Sequence, residues 1–322
     1  MKKIIALAMA LTMIFALCAC GGSSNAAVEL TAGTGGESGT YYAYTGQVAN
    51  VVADKSNVKI TVVATGGSAD NLKSMEQKMY DIATVQSDVM TYAYNGTNSF
   101  ADTGALPNFR VLMGLYPETI QIITCDPSIK SITDLKGKNV CVGDVGSGTY
   151  FNTVDVLAAY DMTIDDLNAV YQSFGESTES LIDGKIDAAV TTAGAPTPSI
   201  TQLAESKDVY IISIDDEHMS KLLAACPWYA EITLPAGTYK GVAEDAKTIT
   251  VKATLVCSKD VSDDVAYNIV KTIFDNKDAI TALHEKGSYI DLSFATDGIA
   301  VPFAAGAAKY FAENGVTVAT AD

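Results

Sequence analysis

The stretch Val28-Glu29-Leu30-Thr31-Ala32-Gly33-Thr34-Gly35-Gly36-Glu37-Ser38-Gly39-Thr40-Tyr41-Tyr42 reads as a strand, a glycine-rich turn and the start of a helix. Val28–Thr31 is the strand, Gly33–Gly39 the turn, and Tyr41–Ala53 continues as the helix. The same unit returns twice. Val58–Ala64, rich in β-branched residues, turns through Thr65-Gly66-Gly67-Ser68 into a helix over Ala69–Met79, with Ser68 as N-cap. Asn139–Val142 turns through Gly143–Gly148 into a helix over Thr149–Tyr160.

Working outward, Asp81–Val85 and Ala188–Thr192 read as strands, Ser87–Tyr94 and Thr178–Asp183 as helices. Alternation of this kind makes an α/β protein with largely parallel sheets. Two longer extended runs interrupt it: Phe109–Thr124, broken at Tyr116-Pro117-Glu118, and Thr248–Cys257. The spacing of Val265, Ile269, Val270, Ile273 and Phe274 predicts an amphipathic helix. A final helix follows Pro302, a residue suited to the first helical position. Ser131–Asp134 and Thr163–Asp166 have the form of capping boxes.

At about 150 residues per domain, 322 residues suggest two domains. The formal charge of −17 argues against nucleic-acid binding, which needs a basic surface to displace counterions. Arg110 is the single arginine, so the chain has one guanidinium fork with which to grip an anion. It lies in an apolar run and is expected to pair with an acidic side chain in a structural role.

Lys2 and Lys3 precede an apolar run from Ile4 to Leu17, too short to span a bilayer comfortably. Leu17-Cys18-Ala19-Cys20-Gly21 resembles a bacterial lipobox. The expectation is a signal peptide over 1–19, lipidation of Cys20, and a flexible leash over 20–27. No later segment has the roughly 18 apolar residues of a membrane helix, so contact with the membrane is expected through the lipid anchor only. Cys125, Cys141, Cys226 and Cys257 lack CxxC spacing, which makes a zinc site improbable and buried free thiols the usual reading. No metal or cofactor is expected.

The three turns carry the chemistry. Each sets orphan backbone N–H groups at a helix N-terminus, where the macrodipole also favours an anion. Ser38, Gly39 and Thr40 open one helix and Ser147, Gly148 and Thr149 another; facing each other across a cleft, they would hold a carboxylate without arginine. Ser68 and Asn71 at the third turn, and Gln86 and Ser87 after the next strand, add polar groups. Nucleotide motifs fail, because Gly33–Ser38 departs from GxGxxG and no GxxxxGK[ST] occurs. A serine hydrolase built on Ser147 lacks the full GxSxG elbow and needs His218 or His284 as its base. His284 reads as a solvated residue at a helix C-terminus.

Gly33–Tyr42 resembles the opening motif of the TAXI family, the extracytoplasmic solute receptors of TRAP transporters. So do Thr65–Ser68 with Asn71-Leu72, Val85–Asp88, Leu115–Glu118, Asp134–Lys138, Gly146–Thr149, Asp183–Ala188, Pro235–Tyr239 and Gly306–Tyr310, over about 28–316. Thr191 and Thr192 stand where the family often has bulkier residues, and Ala304-Ala305 where it often has His-Pro. The resemblance implies a two-lobed periplasmic-binding-protein-like fold, with two hinge strands and a ligand cleft between the lobes. Lobe 1 is expected over 28–117 plus 254–322, and lobe 2 over 118–253. The implied activity is capture of a small carboxylate, such as an acidic amino acid, and delivery to TRAP membrane permease subunits, without enzymatic turnover. The alternative within binding proteins is the receptor of an ABC importer. The candidate ligand-binding residues are Gly36, Ser38, Gly39, Thr40, Tyr41, Thr65, Gly67, Ser68, Asn71, Gln86, Ser87, Tyr116, Ser147, Gly148, Thr149 and Thr192, in a monomer.

Overall fold

The computed structural model describes residues 27–321. The signal segment, Cys20 and all of the leash but Ala27 lie outside these residues. The chain opens with β1 (Val28–Gly33), α1 (Thr40–Lys55), β2 (Val58–Val63), α2 (Ser68–Glu76), β3 (Ile82–Gln86) and α3 (Ser87–Asn95). β1 pairs in parallel with β2 on one side and β3 on the other. The first two turns therefore end up at the carboxyl ends of parallel strands, where α/β sheets hold their ligands.

β4 (Phe109–Thr124) leads into β5 (Asn139–Cys141), α4 (Gly148–Ala159), β6 (Asn168–Val170), α5 (Phe174–Ile182) and β7 (Ala188–Ala193). α6 (Pro198–Ser206), β8 (Tyr210–Ile211), α7 (Asp216–Ala225), β9 (Ala230–Leu234) and β10 (Ala246–Ser258) follow. α8 (Asp263–Asp275), α9 (Lys277–Leu283), α10 (Leu292–Thr296) and α11 (Ala305–Glu313) complete the described chain. The strand order is β2-β1-β3-β10-β4-β7-β5-β6, with β8 on β4 and β9 on β10.

β4 and β10 are antiparallel partners along Phe109–Thr119 and change neighbours along their lengths. β10 pairs with β9 over Ala246–Thr250 and with β3 over Ala253–Cys257. β4 meets β7 only from Thr119 onward. The break expected at Tyr116-Pro117-Glu118 does not occur: one strand runs through it. Val111 bridges Phe303 and the pairing with β7 begins only at Thr119, so at Pro117 that edge has no strand partner for the missing N–H.

The buried apolar residues divide at the same place. One cluster draws on residues 30–116 and 253–311, a second on 120–251, and a third on 123–242. Alternation along β4 points Ile120 and Ile122 into the second cluster and Ile123 into the third. α8 packs Ile269 and Ile273 into the first, one helical turn apart as the spacing predicts.

Several local expectations shift. Ser68 is not the N-cap of α2 but its first residue, behind Gly67, because its Oγ accepts the Gln86 N–H at 3.0 Å. Pro302 does not open a helix: its carbonyl accepts the Val111 N–H at 3.0 Å, and α11 starts at Ala305. Arg110 has no acidic partner among the described residues; Nη1 donates to the carbonyls of Pro107 at 2.8 Å and Phe109 at 2.7 Å. α5 starts at Phe174, four residues earlier than expected, through a capping box of Ser173 and Glu176. His284 is half-buried edge-on to the Tyr44 ring at 5.4 Å. All four described cysteines are free thiols.

Candidate functional site

α1 starts behind Gly39 without a side-chain cap, the turn being tightened by a Gly39 N–H to Gly36 carbonyl bond of 2.9 Å. The N–H groups of Thr40 and Tyr41 have no partner among the described residues. α4 starts behind Ser147, whose Oγ accepts the Tyr150 N–H at 3.4 Å, and the N–H groups of Gly148 and Thr149 are likewise unpartnered. Such orphan donors carry the positive end of the helix dipole. α2 differs. The Gly146 carbonyl accepts the N–H groups of Ala69 at 3.1 Å and Asp70 at 3.3 Å, so its first turn is already occupied by protein.

The two free helix starts line one cavity, with about 50 Å³ open to the centres of water-sized molecules. Twelve expected residues border it: Gly36, Gly39, Thr40, Tyr41, Thr65, Gly67, Ser68, Gln86, Ser147, Gly148, Thr149 and Thr192. Four do not. Ser38 gives its carbonyl to the Ser199 N–H at 3.2 Å. Asn71 spends its amide on the carbonyls of Thr34 and Thr84 and accepts the Thr65 hydroxyl at 2.7 Å. Ser87 Oγ accepts the Lys252 N–H at 3.2 Å, and the Tyr116 ring packs edge-on to Tyr44 at 5.2 Å.

Gly35, Gly66, Glu118, Asp144, Ser173, Phe174 and Ala193 also line the cavity and were not among the candidates. Ser173 and Phe174 carried a legible signal, the S-x-x-E pattern that starts α5. Glu118 stood within a quoted motif, but nothing in its spacing said that a strand would bury its carboxylate. Glu118 is 1% exposed, and its Oε2 accepts the Tyr41 hydroxyl at 2.6 Å. Burial holds its carboxyl well above the usual carboxylate range, against the lowering effect of the Tyr41 bond. No lysine, arginine or histidine is among the described lining residues.

Behind the cavity lies a buried polar network. Gln86 Nε2 donates to Asn152 Oδ1 at 2.9 Å and to Asp88 Oδ1 at 3.2 Å. Asn152 Nδ2 donates to Asp88 Oδ2 at 3.0 Å and to the Tyr229 hydroxyl at 2.8 Å. Thr192 Oγ1 donates to Asn152 Oδ1 at 2.9 Å. Burial, above all, pushes the Asp88 carboxyl up to about 6. Gly148 must be glycine here: an added Cβ would sit 2.1 Å from Gln86 Oε1.

Ser147 acts as a helix cap, and neither histidine borders it. His218 stacks on Tyr160 at 3.7 Å and His284 lies against Tyr44. No helix among the described residues is long and apolar enough to cross a membrane.

The sequence model of the NMT1-like family matches residues 32–315. Among solved structures, the alkanesulfonate-binding protein SsuA of Xanthomonas axonopodis pv. citri, bound to MOPS, is similar with a TM-score of 0.52 at 13% identity, over 89% of this chain and 84% of that one. A protein of Bordetella bronchiseptica RB50 gives 0.53 at 16% identity over 88% and 89%. The zinc-bound ligand-binding component of an ABC-type import system from Staphylococcus aureus gives 0.50 at 12% identity over 83% and 88%. These likenesses establish a mixed α/β periplasmic-binding-protein-like fold.

Proposed function

The chain belongs to the NMT1-like family, the solute-binding proteins of TAXI-type TRAP transporters, and from that premise we propose that it captures a small carboxylate and delivers it to a TRAP permease. The family makes it a transporter-associated binding protein for a small solute, of a kind that is generally non-enzymatic. The observation that carries the finer reading is the pair of unpartnered helix starts, at Thr40-Tyr41 and Gly148-Thr149, lining one cavity that holds no cationic side chain. Backbone donors at a helix N-terminus recognise an anion without a counter-charge. In this reading the carboxylate bridges lobe 1 (28–117 plus 254–322) and lobe 2 (118–253), which close around it on β4 and β10. Lipidated Cys20 holds the receptor at the outer face of the cell membrane.

The test is calorimetry with L-glutamate, L-glutamine and glutarate. Thr149→Val removes a hydroxyl and keeps the shape; loss of a charge-assisted hydrogen bond of about 1.5–3 kcal/mol should weaken binding roughly ten- to hundredfold. Gly148→Val, whose side chain would collide with Gln86 at the helix start, should abolish binding; unchanged affinity in both variants would overturn this mode of anion binding.

A further inference from the structure

Behind the cavity, two carboxyl groups from opposite halves are linked through one asparagine and one tyrosine. Asp88 of α3 is 1% exposed, and its Oδ2 accepts Asn152 Nδ2 of α4 at 3.0 Å. Asn152 Nδ2 also donates to the Tyr229 hydroxyl at 2.8 Å, which donates in turn to Asp155 Oδ2 at 2.8 Å. Asp88 belongs to the half over 28–117, whereas Asn152, Asp155 and Tyr229 belong to the half over 118–253. The groups facing Asp88 bring no positive charge. Gln86 Nε2 reaches it from the end of β3 at 3.2 Å, Tyr92 lies one turn further along α3, and Glu118 faces it from β4. From the other half, Asp155 of α4 faces it together with Cys226 and Tyr229 from the segment between α7 and β9. A carboxyl group taken out of water without a cation favours its neutral form, and a second acid nearby adds to that preference. Parting the halves would take Asn152 and Asp155 away from Asp88 and return it to water.

We propose that this join is a proton-operated latch: closing the halves places a proton from solvent on Asp88, so acid favours the closed receptor and neutral pH loosens it. This rests on the closure about β4 and β10 proposed above and adds what biases it. Below about pH 4 Asp88 is protonated whether the halves are closed or parted, and the closed form has its full advantage. Burial, above all, holds Asp88 at about 6 in the closed form, so that advantage is lost as pH rises through 6. Between pH 5 and 7 the ratio of closed to open molecules should fall about tenfold.

The fold supplies its own reporter. Trp228 is the single tryptophan of the chain. Its indole Nε1 is buried without a partner among the described residues, and its ring meets Tyr92 of the other half edge-on at 5.4 Å. The experiment is small-angle scattering and Trp228 emission of the free, full receptor at pH 5 and pH 7, a comparison that does not depend on any variant folding. From pH 5 to 7 the radius of gyration should grow, and the emission should move to longer wavelength as water reaches the indole. Asp88→Asn should erase both changes, and Asp155→Asn, which removes only the facing charge, should shrink them. Changes that persist undiminished in both variants would assign the response to other groups and overturn the latch. If wild type is the same at both pH values while Asn152→Ala still expands the free protein, the latch is overturned and the closure stands. If neither pH nor Asn152→Ala moves the radius, both are overturned.

Discussion

At the scale of residues, Asp88 ties stability to pH. Its folded value of about 6 lies above the 3.9 or so of an unfolded aspartate, so between these values the native state holds the proton and the unfolded chain does not. The stability this group contributes is complete below about pH 4 and is lost as pH rises through about 6, a fall of about 3 kcal/mol. Asp88→Asn carries no titrating group there and should flatten that part of the profile in urea denaturation at pH 4, 5, 6 and 7. A mutant profile parallel to wild type would assign the slope to other groups. Gly148 acts through space alone. Gln86 is pinned by Asp88 and Asn152, so Gly148→Ala, with its Cβ 2.1 Å from Gln86 Oε1, should weaken ligand at least tenfold in calorimetry while the protein still melts cooperatively.

At the scale of elements, the helix starts matter more than the helices. α5 opens with a reciprocal cap: Ser173 Oγ accepts the Glu176 N–H at 3.4 Å, and the Ser173 N–H donates to Glu176 Oε2 at 2.9 Å. Ser173→Ala should cost about 1 kcal/mol of stability, read from the denaturation midpoint, and loosen Phe174 at the cavity wall. This start was written in the sequence as S-x-x-E. The start of α2 was not: Ser68 looked like its cap until β3 came close enough for the Gln86 N–H to claim the hydroxyl.

At the scale of the whole molecule, the two halves that exchange at β4 and β10 are tied together around the cavity. Thr40 Oγ1 donates to the Gly194 carbonyl at 2.9 Å, Lys286 Nζ to the Ala195 carbonyl, and Gln86 Nε2 to Asn152 at 2.9 Å. If the halves hinge about Tyr116–Ile120 and Thr250–Thr254, saturating ligand should reduce the solution radius of gyration and slow amide exchange around the cavity. Asn152→Ala removes four hydrogen bonds, of which those with Gln86 and Asp88 cross the join, and leaves Asp88 without one of its donors. It should shift small-angle scattering of the free protein toward the larger radius and weaken ligand. A scattering curve unchanged by ligand would count against the hinge.

The α/β class, the three strand–turn–helix units and the absence of a nucleotide motif were determined by the sequence itself. Each depends on local chemistry: strand and helix periodicity, and glycine and hydroxyl residues at turns. What only tertiary structure decided is which of those turns stay open to a ligand. Asn71 and Ser87 have the same hydrogen-bonding groups as their neighbours at the cavity, but backbone partners from distant elements consume them. The α2 start is filled by the Gly146 carbonyl from a turn more than seventy residues away. Conversely, Glu118 became a cavity group because β4 runs unbroken past Pro117 between the two halves. A hydrogen bond is satisfied or left open by whatever the fold brings within 3 Å, and sequence spacing carries that information only within one element.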